Sequence, residues 1–174
     1  MRFIKAFLVG ITGLFIVITL LSLLLPSEIK VSRAVVLNTT TGKAYTQISN
    51  LHNWKNWEPL FASDSAVKTF RDAVPGKNAS CDIRYGEKQV HVEITTMDSV
   101  SVQFAMEENG GYRISNEINI APVQAQNEVQ VEWKALTKLH WYPWDKFYGI
   151  FIDRLTGPDY DEALNNLKSF LEKN

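Results

Sequence analysis

Residues 128–135 read Glu-Val-Gln-Val-Glu-Trp-Lys-Ala (EVQVEWKA), apolar and polar side chains in strict alternation. Successive side chains of a β-strand point to opposite faces, so this stretch is a strand with one covered and one wet face. The same pattern runs back along the chain. Cys81, Ile83 and Tyr85 alternate up to Gly86, and Val90, Val92 and Ile94 alternate with His91, Glu93 and Thr95. Val100, Val102, Phe104 and Met106 follow, and Asn109-Gly110-Gly111 is a strong hairpin signal. Beyond it Tyr112, Ile114, Ile118 and Ile120 share a face. Val67–Arg71 reads as a weak strand, closed by a turn over Val74–Asn78. Hairpin-linked strands of this kind make an antiparallel sheet whose apolar face needs a cover.

The cover is expected downstream. Trp144, Phe147, Tyr148, Phe151 and Leu155 form one helical stripe, and Tyr160, Ala163, Leu164, Leu167 and Leu171 form another. Gly157-Pro158 lies between them and predicts a kink or short break. Asp159, Asp161 and Glu162 are then expected in the first turn after Pro158, with Asp153 before it, as a solvated face favoured by the helix dipole. Upstream, Ile29–Asn38 reads as the first strand, and Thr39–Thr41 offer capping hydroxyls to a helix carrying Ala44, Tyr45, Ile48 and Leu51. A second short helical turn, HNWKNWEPLF over 52–61, places Trp54 and Trp57 near one face as a packing signature. Lys55, Asn56 and Glu58 are expected to face water, and Pro59 to end the turn.

The first 26 residues differ in kind. Ala6–Leu25 carry no ionisable group, and as a helix they match the hydrocarbon thickness of a bilayer. The residues before Pro26 are three leucines, a poor cleavage site for a signal peptide, and a buried core helix would show a polar face. The expected organisation is a tail at 1–5, a transmembrane anchor at 6–26 and a folded domain at 27–174. Arg2 and Lys5 precede the span while Lys30 and Arg33 follow it, so the basic count alone is nearly balanced. The very short charged amino terminus favours a cytoplasmic start with the domain outside the cytoplasm.

Catalytic motifs are missing. The net charge is −1 and no basic run occurs, which argues against a nucleic-acid partner. Cys81 is the only cysteine, so no internal disulfide forms, and its alternating apolar context reads as core rather than nucleophile. His52, His91 and His140 are scattered without metal-ligand spacing, and His91 reads as solvated. Thr41-Gly42-Lys43-Ala44 lacks the rest of a phosphate-binding loop and reads as a helix start. No cofactor is implied. Asn116 interrupts an apolar face, and a buried amide needs partners, either a ligand or a structural hydrogen bond. The aromatic loop His140-Trp141-Tyr142-Pro143-Trp144 suits a cavity mouth or a lipid headgroup region.

The element order is strand, two short helices, six strands and a long helix. That order resembles the α+β helix-grip fold of the START-like (SRPBCC) superfamily, and in particular its membrane-anchored bacterial members of the polyketide cyclase/dehydrase type. Three places carry the resemblance. Leu25-Pro26-Ser27 with Ile29–Arg33 matches the span exit and first strand; Asn38–Trp57 with Pro59 contains the word L-x-N-W-x-x-W-x-P; and Phe147–Leu167 includes Asp153-x-x-x-Gly157. The family usually has proline where Thr40 or Thr41 stands and a glycine-rich turn of which Gly76 alone remains. The resemblance implies about seven strands wrapped on the last helix around a cavity for an apolar or amphipathic ligand. Candidate lining residues are Trp57, Phe61, Phe104, Asn116, Trp133, Tyr148 and Phe151. The function expected on these grounds is a membrane-anchored protein holding a hydrophobic small molecule or lipid without covalent catalysis. The alternatives are a cyclase/dehydrase-like enzyme using polar cavity groups, and an interaction module with a filled core.

Overall fold

A computed structural model describes residues 2–71, 76–123 and 127–173, so part of the expected Val74–Asn78 turn lies outside the described residues. Helix α1 (Arg2–Ser22) precedes strand β1 (Glu28–Leu37). Helix α2 (Thr41–Ile48), a 3-10 turn (Leu51–Asn56) and helix α3 (Pro59–Ala62) then carry the chain to β2 (Val67–Phe70). Strands β3 (Ser80–Tyr85), β4 (Lys88–Met97), β5 (Ser101–Glu108), β6 (Arg113–Pro122) and β7 (Val129–Lys138) follow, and helix α4 (Pro143–Lys173) closes the chain.

The seven strands form one antiparallel sheet in the order β1-β7-β6-β5-β4-β3-β2. The first strand therefore pairs with the last, and α2, the 3-10 turn and α3 cross from the β1 edge to the β2 edge. The alternation seen in the sequence is the alternation of the sheet: Val129, Val131, Trp133, Ala135 and Thr137 of β7 are buried, with more open residues between them. Gly110 turns the β5–β6 hairpin at φ 75°, a backbone conformation that suits glycine.

Packing falls into two clusters. The larger joins Trp54, Trp57, Phe61, Phe104, Ile118, Trp133, Leu164 and Leu167; the smaller holds Val31, Ala135, Leu139 and Ile152. Tyr160 packs against both.

Several sequence expectations change. Helix α4 is continuous through Pro158, with no break. Its second stripe covers the sheet: Ala163, Leu164, Leu167 and Leu171 are buried. In its first half the apolar stripe faces outward, with Trp144 63% and Phe151 56% exposed, and only Tyr148 of it reaches the space between helix and sheet. The inward face there is Asp145, Lys146, Gly149 and Ile152. The polar pair on that face is tied down. Asp145 accepts from the His140 backbone N–H at 2.9 Å and from the Tyr112 hydroxyl, and Lys146 donates to the Pro26 carbonyl and to Ser27. Satisfied polar groups take the inner positions, so the aromatic stripe is turned out.

Asp159, Asp161 and Glu162 sit mid-helix, not in a first turn. Asp161 and Asp153 flank Gly157 and hold Arg33 of β1 at 3.1 and 3.0 Å. A Cβ on Gly157 would lie 2.1 Å from the Arg33 guanidinium, so Asp153-x-x-x-Gly157 is a seat for that side chain.

Pro59 begins α3 rather than ending a turn, and Glu58 is its N-cap, accepting from the Phe61 N–H at 2.8 Å. Glu58 is consequently buried, not solvated. Trp57 lies just past the 3-10 turn as its C-cap, and the two buried tryptophans pack together as expected, with ring centroids 5.2 Å apart.

Candidate ligand cavity between the sheet and the last helix

A cavity of about 640 Å³ lies between the sheet and α4, flanked by the two packing clusters that Tyr160 joins. Trp133 lines it from the larger cluster, Val31 and Ile152 from the smaller, and Leu60 with Pro59 from α3. Met106 of β5 and Ile114 of β6 add apolar wall, and Tyr112, Tyr148 and Tyr160 add rings with hydroxyls. The grip is therefore not filled by its own side chains. The volume falls in the range of small-molecule sites, about 300–1,000 Å³.

The aromatic wall is braced from behind. Trp54 meets Phe104 edge-on at 4.8 Å between ring centroids, Phe104 meets Trp133 at 5.7 Å, and Trp133 meets Tyr160 at 4.9 Å. Edge-to-face pairs of this kind lock ring orientation as well as fill space. Trp54 also donates its indole N–H to the Ile48 carbonyl at 2.8 Å.

Of the candidate lining residues, Trp133 and Tyr148 border the cavity. Trp57, Phe61 and Phe104 stand behind it in the larger cluster, and Phe151 lies on the outward stripe of α4. Asn116 acts one step back: its side-chain oxygen accepts from the Trp133 indole at 3.0 Å, and its amide donates to the Ile114 carbonyl at 3.1 Å. The amide that breaks the apolar pattern of β6 thus fixes the orientation of a wall residue. Cys81 is buried in the core, and His91 meets Asp82 at 2.6 Å on the sheet's other face.

The polar side of the cavity is acidic. Its charged lining side chains are Glu58, Glu108, Asp159 and Glu162, with no lysine, arginine or histidine among the described lining residues. Glu108 is answered by Lys88 at 3.0 Å. Glu58 is 8% exposed, and burial pushes its carboxyl up to about 7 against the pull of backbone N–H groups, with Asp159 and Glu162 adding to the rise. Burial likewise pushes the Tyr160 hydroxyl up to about 12. Glu58 is the site residue that the sequence reading missed. An acid directly before a proline is an N-cap signal, but glutamate is not among the favoured caps and a proline serves equally as a stop.

At the far end of α4, Leu139 donates its N–H to the Ser27 carbonyl at 2.9 Å, and Lys146 reaches Pro26 and Ser27. The aromatic loop is therefore fastened beside the exit of α1. His140 and Tyr142 stack at 5.1 Å, Tyr142 and Trp144 at 5.0 Å, and Trp141 is 71% exposed. Residues Phe3–Ser22 of α1 are long and apolar enough to cross a membrane.

Solved structures share this architecture. A Thermobifida fusca protein aligns over 83% of this chain and 93% of its own, with TM-score 0.65 and 15% identity. The Bacillus cereus protein XoxI covers 83% and 97% with TM-score 0.62 and 12% identity. Norcoclaurine synthase from Thalictrum flavum, a point mutant in complex with a transition-state analogue, covers 84% and 95% with TM-score 0.61 and 10% identity. At such identities the likeness is one of fold. Comparison with curated proteins gives no match. Residues 28–172, the whole sheet and nearly all of α4, match the family model for polyketide cyclase/dehydrase and lipid transport proteins, and the chain belongs to that family.

Proposed function

We propose that this protein binds a hydrophobic small molecule or lipid in the cavity between the sheet and α4, held at a membrane by α1. The observation that carries the proposal is the cavity of about 640 Å³ with its Trp133, Tyr160, Met106 and Ile152 wall. The space is half open to solvent, and it leaves uncovered an apolar wall that a core meant only for stability would bury. An interaction module with a filled grip fits this volume poorly.

The test uses a neutral apolar probe, 4-phenylbutan-1-ol, titrated calorimetrically into the full chain in nanodiscs. Saturable binding by the native protein is expected. Thr156, half-buried on the cavity side of α4, is the place to fill it. Thr156→Trp should abolish the binding while leaving the circular dichroism spectrum unchanged. Equal partition of the probe into both proteins and into empty nanodiscs would remove the proposal.

The membrane part of the proposal rests on α1 and the aromatic loop. Alpha-1 spans the bilayer with the amino terminus cytoplasmic and the domain outside the cytoplasm, and Trp141, Tyr142 and Trp144 lie at headgroup level beside its exit. A second reading, acid–base catalysis on a bound substrate, is favoured by Glu58 alone, a buried carboxyl that titrates near neutral pH inside the cavity. Turnover of a cavity-bound substrate that disappears in Glu58→Gln with binding retained would select it.

A further inference from the structure

We propose that the cavity's ligand is an organic cation, an apolar or aromatic body carrying one ammonium group that rests against Glu58 and the Asp159–Glu162 turn of α4. This rests on the binding function proposed above and adds the sign of the ligand's charge.

The chain as a whole carries 18 basic and 19 acidic residues, so a lining of four carboxylates without a base is not inherited from composition. One of the four, Glu108, pairs with Lys88; the other three are not neutralised from behind. Arg33 takes up Asp153 and Asp161 on the same helix and leaves the intervening Asp159 and the following Glu162 without an ion pair among the described residues. Lys68 of β2, at the α3 end of the cavity, donates to the Ser63 carbonyl at 2.6 Å and not to a carboxylate. Glu58 itself is more than nine-tenths buried and takes only backbone N–H bonds. A buried carboxylate without a counter-charge is costly, and a cationic ligand supplies the missing charge.

The walls suit such a head. Trp133 and Tyr160, which meet edge to face at 4.9 Å, line the cavity with Tyr148 and Tyr112, and aromatic rings attract ammonium groups. The counter-ion is organic rather than metallic: among the described residues no group of three His, Cys, Asp or Glu side chains sits closely enough to hold a metal ion. Binding of an ammonium favours ionised Glu58, so affinity should climb with pH from about 5.5 to 7.5, by up to about tenfold per unit.

Three probes with one body separate charge from apolarity: 4-phenylbutylamine, 4-phenylbutan-1-ol and 4-phenylbutyrate, each titrated calorimetrically into the full chain in nanodiscs at pH 7.5. The amine should bind at least about tenfold more tightly than the alcohol, and the acid least well. Glu58→Gln should remove most of that advantage while the alcohol binds as before, which shows that the cavity is intact. Asp159→Asn/Glu162→Gln, which take no part in the α3 cap bond, should weaken the amine selectively by about threefold. If the alcohol or the acid binds as tightly as the amine, the cation is wrong and the apolar cavity stands. If none of the three binds, the cavity function falls with it.

Discussion

Glu58 is the residue on which the chemistry of the cavity turns, and its burial has a consequence for stability. Its carboxyl titrates near 7 in the folded protein against an ordinary value of 4.5. Between these values the folded state holds a proton that the unfolded chain has lost, so stability falls as pH rises from about 4.5 through 7 and then levels off. The shift corresponds to about 3 kcal/mol at most. Glu58→Gln should therefore flatten the unfolding free energy across pH 5–8, measured by urea titration, and make the protein more stable than wild type at pH 8. A parallel pH profile in both would mean that Glu58 is solvated after all. The tryptophan pair separates at the same scale. Trp54 is bonded to the Ile48 carbonyl, whereas the buried Trp57 indole N–H has no hydrogen-bond partner among the described residues. Trp54→Phe should cost about 1–3 kcal/mol more than Trp57→Phe in the same titration. Asn116 was legible as a buried amide in need of partners; that its partner is Trp133 depends on the register of β6 against β7, which no local pattern encodes.

Helix α4 shows how far periodicity reads at the scale of an element. Both apolar stripes were visible in the sequence, and the second covers the sheet as expected. The first does not, because a 3.6-residue period identifies a face without saying what the face meets. The answer came from groups with no periodic signal: Asp145 bonded to Tyr112 and His140, Lys146 bonded to the α1 exit, and Gly149 pressed against Leu139. A Cβ at Gly149 would lie 2.4 Å from the Leu139 side chain and 3.3 Å from Ile29. Gly149→Ala should therefore destabilise the domain by about 1–3 kcal/mol as an overpacked contact. Gly157→Ala displaces the half-exposed Arg33 pairings, worth about 1 kcal/mol at most, and gains about as much in helix propensity, so its net effect should be small. Similar losses in the two variants by thermal melting would contradict this assignment. The outward stripe has its own test. With the full chain in vesicles of brominated phosphatidylcholine, the exposed Trp141 and Trp144 should be quenched and the buried Trp54, Trp57 and Trp133 spared. Trp141→Phe/Trp144→Phe should abolish the quenching; quenching that persists in that variant would place the loop away from the lipid.

For the whole molecule, the sheet could be read from its strands because alternation and hairpin turns are local, and every strand from β3 to β7 appears where the pattern put it. The pairing of β1 with β7 was not legible, since contact between residues about a hundred positions apart leaves no mark on either segment. The cavity is harder still. It is the space left between two clusters that each pack well, a difference between large volumes, and no single residue announces it. Its acidic sign depends on Arg33 claiming two of the α4 carboxylates and not the others. That the cavity is kept open for a ligand is tested most directly by native mass spectrometry of the full chain released from nanodiscs of its own membrane. The wild-type protein should carry a discrete bound mass that is lost on denaturation, and folded Thr156→Trp should fly without it. A bare wild-type protein, or the same bound mass on both, would contradict a ligand in this cavity.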